Sequence, residues 1–325
     1  MARKSYRSTI ILAVTGILAI VLPLLLMKIG VIDAYTARII STGGVNAIMA
    51  MSVNMIVGVT GQLSLGQAGF LAIGAFSCIF FNIDLGIPLP LAALCATLLT
   101  TFAGFLIGFP VLKLSGDYLA IVTLGFGEII RVVFINLKSL TGGPNGRRFT
   151  TVMALNRELA LVVVLATLVI TVALLQNFLR STYGRAIMAC REDEIAARSS
   201  GIDTFRYKMI GFVIAAFIAG LGGCLYVMVV GHIQPEVARF LKSIDFLIYV
   251  VLGGMGSMTG SILSAFVLTY LQEFLRFLQD YRLLIYPLIL ILVMFFRPQG
   301  LLGMKELSFV RFFDRVVLGK KKEDA

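Results

Sequence analysis

Apolar positions along the chain fall in unbroken runs about as long as a bilayer is thick, rather than at the spacing of a half-buried helix or strand. A helix takes about 20 apolar residues to cross roughly 30 Å of hydrocarbon. Candidates of that length lie near 9–27, 39–57, 63–82, 88–110, 117–137, 158–178, 209–230, 244–258, 261–278 and 283–296. The last three are short or broken, so the pattern predicts an all-α, polytopic membrane protein of about ten transmembrane helices, nine to eleven, with Gly-rich broken helices. The first run follows Arg3, Lys4 and Arg7 as the core of a signal peptide would. An uncleaved span is the expectation, because Ile10–Met27 is long for such a core and no A-x-A-like site follows.

Composition agrees with the pattern and removes other classes. With 59% hydrophobic and 14% charged residues, a soluble fold would expose oily patches beyond what water tolerates. The net charge of +11 suggests nucleic acid only until its distribution is read: Lys and Arg sit between the apolar runs, where they set topology. With the N-terminus inside, ten spans place 17 basic residues in inner loops and 9 in outer loops, which predicts both termini in the cytoplasm. Four basic residues in the outer loop 138–157 stand against that arrangement. No composition change divides residues 1–303, read as one transmembrane domain that includes a cytoplasmic segment at 180–208. Residues 304–325 alternate apolar and charged positions and end in Lys320-Lys321-Lys322, the pattern of a short cytoplasmic amphipathic tail with a basic tip on anionic lipid.

Cys78, Cys95 and Cys224 lie in apolar runs and Cys190 in a charged one, at spacings that suit neither a disulfide framework nor a zinc site. With a single His232 and no P-loop, H-E-x-x-H or G-x-S-x-G motif, the chain is expected to be no enzyme and to hold no metal and no cofactor.

Two glycine-rich stretches interrupt the spans: GVTGQLSLGQAGFLAIG at 58–74 and GGMGSMTG at 253–260. Such residues either let helices approach closely, as Gly104-x-x-x-Gly108 and Gly256-x-x-x-Gly260 would, or unwind a helix where protein or a water-filled cavity satisfies its backbone. On the second reading Gly61, Gln62, Ser64, Gly66 and Gln67, with Gly253, Gly254, Gly256 and Ser257, are candidates to line a pathway.

Charges inside the apolar runs form a second group. Glu128 falls near the middle of its run with Arg131 one turn on, so both share a face. Together they cost about 5–7 kcal/mol on insertion scales, against roughly 4–7 returned by twelve Leu, Ile, Val and Phe residues between Tyr118 and Leu137. The charged face must therefore turn inward, either as a packing ion pair or as part of a polar path. Glu273 and Arg276 repeat the spacing, each acid 12 or 13 residues after a glycine (Gly116, Gly260), which fits a duplicated half or chance.

The longest polar stretch, Arg180 to Lys208, carries six basic and four acidic residues. Arg191, Glu194 and Arg198 can support pairs at helical spacing, Gly201 can end the helix, and Asp203 or Thr204 can cap the next. It reads as a solvated connector or as a rigid lever pressed against a soluble partner.

Several blocks carry a resemblance: TGQLSLGQAGFLAIGAF (60–76), SGDYLAIVTLGFGEIIRV (115–132), LTGGPNG (140–146), YGRAIMACREDEIAARSSGID (183–203), VLGGMGSMTG (251–260) and FRPQGLL (296–302). In order, over residues 40 to 303, the chain resembles the branched-chain amino-acid ABC transporter permease family, LivM-type. The resemblance implies a bacterial inner-membrane importer with a second homologous permease subunit, two cytoplasmic ATP-binding subunits and a periplasmic or extracellular binding protein delivering Leu, Ile or Val. ATP and Mg would then sit on the partner subunits. Related permeases carry other amino acids, urea or short amides. It also implies that the polar segment is the ATPase-coupling element, with Arg185, Arg191, Glu192, Asp193, Glu194, Ala196, Ala197 and Gly201 as its candidate residues. The family's Glu-Ala-Ala-x-x-x-Gly loop is matched by Ala196, Ala197 and Gly201, but Ile195 holds the acidic position and Glu194 is displaced by one. From the residues alone, a self-sufficient ion-coupled transporter using Glu128 or Glu273, or a noncatalytic scaffold, stays open beside this reading.

Overall fold

A computed structural model describes residue 16 and residues 20–27, 29–30, 32–114, 116–151, 156–297, 300–301 and 303. Most of the run at 9–27 and the tail from 304 onward lie outside the described residues.

Helix α1 (Ala34–Val53) continues through a π-helical turn at Asn54–Val59, and α2 (Gln67–Ile79) through another at Phe80–Asp84. Next come α3 (Leu89–Val111), α4 (Asp117–Asn136) and α5 (Arg157–Arg180). Two short helices follow, α6 (Thr182–Glu192) and α7 (Glu194–Ser199). The chain then runs through α8 (Thr204–Val230), α9 (Phe240–Gly253), α10 (Met258–Phe274) and α11 (Arg282–Phe296). Among the described residues seven helices are long and apolar enough to cross a membrane, and the apolar part of α11 is shorter. The expected count of ten is therefore not reached here. The run read as a span at 244–258 is the 14-residue α9, which covers only about 21 Å.

Small residues decide where the bundle closes. Helix α8 carries glycines toward three neighbours. A Cβ on Gly223 would stand 2.1 Å from the Leu71 carbonyl oxygen, one on Gly220 2.7 Å from Thr100 Cβ, and one on Gly222 2.7 Å from Met49 Sδ. The backbones of α8 and α2 thus meet directly, which is how helices associate where lipid removes the hydrophobic drive between them. Gly104 and Gly108 of α3 pack on Ala216 and on Met209 and Phe212, so their spacing serves close approach. On α3 the hydroxyls of Thr97, Thr100 and Thr101 donate to carbonyls one turn back at 2.7–2.8 Å, so each is satisfied within its own helix, Thr97 and Thr100 where it packs on its neighbours.

Helix directions follow from the same contacts. Gly211, early in α8, packs on Thr60, and Gly222, further along, packs on Met49. Helix α1 is therefore antiparallel to α8 and ends at the face that carries α6 and α7. At the opposite face a two-residue antiparallel ladder pairs Arg147 with Ile233 and Arg148 with His232, clasping the two long loops. There Arg147 binds the Asp84 carboxylate, which raises its already high pKa, so one of the four basic residues that oppose the charge rule is neutralised by a partner.

Candidate functional site

Three acceptors shape the α6–α7 segment. Ser181 Oγ accepts from Gly184 N at 3.3 Å and starts α6. Asp193 adopts extended backbone, ends α6, and its Oδ1 accepts from Ile195 N (2.8 Å) and Ala196 N (3.0 Å) to start α7. Asp203 Oδ1 accepts from Arg206 N at 3.2 Å and starts α8. Between them Gly201, at φ +82, turns the chain out of α7. Each cap satisfies backbone donors that a short helix cannot pair itself. The continuous helix expected through Arg191 and Arg198 is instead two helices with a bend at Asp193.

Ala186, Ile187, Cys190 and Ala197 are buried, and burial pushes the Cys190 thiol up. Glu194 pairs with Lys208 at the root of α8 and with Arg198 at 3.5 Å. The Lys208 ammonium holds the Glu194 carboxyl below the usual range, so this tie persists through neutral pH and is lost only as pH falls through the lowered value. Arg185, Glu192, Asp193 and Ala196 point to solvent, and Ile195 is 80% exposed in their midst.

The glycine breaks are held by groups from distant elements. Gln67 Oε1 accepts from Ser52 Oγ at 3.0 Å, and Ser52 also donates to the Ala215 carbonyl at 2.7 Å. Leu65 N donates to Thr123 Oγ1 and Ala68 N to Ser243 Oγ, both at 3.0 Å. Gln62, Ser64 and Gln67 are all buried, while Ser64 Oγ and Gln67 Nε2 have no hydrogen-bond partner among the described residues. Gly66 lies against the Thr123 carbonyl and Gly61, at φ +70, beneath the Arg191 side chain. In the second break Gly253 and Gly260 touch backbone to backbone, Ser257 caps α10, and Gly254 and Gly256 hold positive φ. The two breaks meet where Asn54 Oδ1 accepts from Gly256 N at 2.8 Å. Asn54, Ser243 and Thr123 were not singled out in the sequence; an Asn near the end of an apolar run was the visible signal for the first.

Glu128 and Arg131 do pair, at 2.7 Å, but a third partner explains their place. From the β-ladder, the chain at 234–239 returns along α4 so that Ala238 lies by Gly127 and Glu236 by Arg131. Helix α9 therefore begins about 16 Å along α4, near mid-depth, and its Phe240 N donates to Glu128 Oε1 at 3.1 Å. Glu128 thus caps a half-length helix from a neighbouring one, while Glu236 joins Arg131 (3.4 Å) to Arg239 (3.1 Å). The pair is not fully buried: Glu128 is 30% and Arg131 24% exposed. The second pair corrects the expectation of burial more strongly. Glu273 binds Arg276 at 2.8 Å and the Tyr35 hydroxyl, and Arg276 is 66% exposed, because both residues stand at the far rim where α10 ends. Neither carboxylate is without a partner.

The family described as branched-chain amino acid transport system / permease component matches residues 35–294, from the start of α1 to the last turn of α11. The LivM permease protein of the high-affinity branched-chain amino acid transport system of Escherichia coli (strain K12) is 37% identical over 317 residues, 89% of this chain and 73% of that protein. Its counterpart in Salmonella typhimurium is 38% identical over 286 residues, 79% and 67% of the two chains. The LivH permease protein of Escherichia coli (strain K12) is 33% identical over 153 residues, 46% of this chain and 48% of that protein. No solved structure matches the chain significantly. A multi-pass bundle whose two breaks and polar segment fall inside the matched region belongs to the family of branched-chain amino-acid transport permease components.

Proposed function

We propose that this chain is one of two homologous permease subunits in an ATP-binding cassette importer for Leu, Ile and Val in the bacterial cytoplasmic membrane. The observation that carries this reading is the α6–α7 segment: capped at each end, tied to α8 through Glu194, and presenting Ile195 within a charged rim. A capped, solvent-facing wedge that exposes Tyr183, Met188 and Ile195 among its charges suits a soluble ATPase better than lipid. Similarity to both LivM and LivH proteins supports pairing with a second permease. Partly exposed charges at mid-depth on α4 support the same, since lipid is a costly neighbour for them. A binding protein would present the amino acid at the face bearing the β-ladder. The glycine breaks, with their backbone polar groups, are the candidate pathway elements; Gln62, Ser64 and Gln67 would have to unpack to reach it.

The deciding experiment is reconstitution in proteoliposomes with and without the sister permease, ATPase and binding-protein subunits. ATP-dependent leucine uptake is expected only from the complete set, and uptake by this chain alone under an ion gradient rejects the reading. Orientation has its own check. Cysteines placed at the exposed Asn145 and Ser200 in a cysteine-free background should label from opposite sides, Ser200 from the cytoplasm; labelling of both from one side overturns the topology.

A further inference from the structure

Arg191 occupies a position that charge pairing does not explain. It lies in the last turn of α6, yet its guanidinium reaches past its helical neighbours and Nη1 donates to the Gly58 carbonyl, in the π-helical turn that closes α1. Its aliphatic stem lies on Gly61: a Cβ there would stand 2.8 Å from Arg191 Cγ and 3.7 Å from its Cα. At the other break a Cβ on Gly256 would be 3.3 Å from Arg191 Nη1 and 3.5 Å from the Gly58 carbonyl oxygen. One side chain therefore bonds the first break at Gly58 and lies beside Gly256 of the second, where the two are already joined through Asn54 and Gly256 N. Gly61 and Gly256 both hold positive φ, so these contacts occur where the backbone has left the helix.

Beside this junction is a cavity of about 360 Å³ between α6 and the ends of α1 and α5, lined in part by Gly58, Gln176, Arg180, Arg191 and Gly256. The side-chain oxygen of Gln176 is buried there without a hydrogen-bond partner among the described residues. Close-packed interiors transmit displacement, whereas a void permits it. Met188, Arg191 and Glu192 line the cavity from α6, so the last turn of that helix has room to move while the Arg191 guanidinium stays bonded to the Gly58 carbonyl.

We infer that Arg191 is the coupling pin of the subunit, joining the ATPase-facing helix α6 to the ends of both broken helices so that a displacement of α6 moves them together. Arg191 acts here as a positioning residue. The inference rests on the proposed ATPase docking at α6–α7 but goes beyond it, since docking alone requires no contact between α6 and either break.

The test uses the complete importer in proteoliposomes and reads three quantities: copurification of the ATPase, ATP hydrolysis, and leucine taken up per ATP. For Arg191→Ala the complex and its hydrolysis are expected to persist while uptake per ATP falls about tenfold, within the range of coupling free energies between distant sites. Arg191→Lys keeps the charge but loses the planar fork and should fall between. Lys113→Ala removes an exposed basic charge outside the coupling segment and away from either break, and should behave as the unsubstituted protein. Unchanged uptake per ATP in Arg191→Ala overturns the pin. If that variant does not assemble, the Lys variant decides by the same ratio, and an unaltered ratio overturns it equally. Absence of ATP-dependent uptake in the unsubstituted complex would instead sink the importer reading, and the pin with it, before any variant is compared.

Discussion

Gly253→Ala, one added methyl group, is expected to be among the most damaging single substitutions in the chain. An ideal Cβ at this position stands 2.4 Å from the Gly260 carbonyl carbon, 2.5 Å from its oxygen and 2.5 Å from Ser261 N. The reciprocal methyl on Gly260 would stand 2.1 Å from the Gly253 carbonyl oxygen. Overpacking costs about 1–3 kcal/mol where side chains can give way, and here the obstacle is backbone on both sides, so about 3 kcal/mol or more is expected. Separation of α9 from α10 would also carry the 254–257 loop off Asn54 and out of reach of Arg191. Thermal unfolding in detergent, followed by size-exclusion profile, should show the loss. Gly125→Ala is the matched control. No heavy atom lies within 4 Å of its Cβ position, so the change should be neutral or gain up to about 1 kcal/mol of helix propensity. Equal unfolding temperatures for Gly253→Ala and the unsubstituted protein would remove the close α9–α10 crossing from the account.

These helices also mark how far the sequence could be read. The full spans were legible because a bilayer demands long apolar runs, and α3, α4, α5 and α8 begin and end within a few residues of the runs that predicted them, apart from the start of α8. Helix α9 was not. Its first turns hold Lys242 and Asp245, which pair at 3.6 Å, and an apolar window passes over charges that neutralise each other. The π-helical turn at Asn54–Val59 has no periodic signature, since it arises where Asn54 reaches Gly256, about 200 residues away in sequence. In the polar segment, Gly201 and Asp203 were readable as stop and start because capping is local. Asp193 was hidden inside a run that looked continuously helical. The orientation of Gln67 was beyond any local rule, for its partner Ser52 and the neighbouring Ser243 come from other helices.

Glu128 shows the same limit in energetic form, and it yields the second large effect. Read locally, Glu128 and Arg131 are an i,i+3 ion pair, and reversing the two charges should cost no more than about 0.5 kcal/mol. In the fold, one carboxylate oxygen binds Arg131 and the other accepts the first backbone N–H of α9. The start of that helix carries unpaired donors and the positive end of its dipole near mid-depth, where water does not freely replace a lost acceptor. Glu128→Ala should therefore destabilise the folded protein by about 1–2 kcal/mol, a cap plus a partly exposed pair, and reduce uptake severalfold. Glu128→Gln keeps a neutral acceptor for Phe240 N and should retain more of both. The exchange Glu128→Arg with Arg131→Glu separates the two accounts. It restores an ion pair at the same spacing, but sets a guanidinium against the positive end of α9 and a carboxylate against Glu236, now 3.4 Å from Arg131. The exchange is expected to be worse than Glu128→Ala in thermal stability and in uptake. Recovery of both by the exchanged pair would mean that α4 needs only a salt bridge here, and that the half-length helix finds its place without the cap.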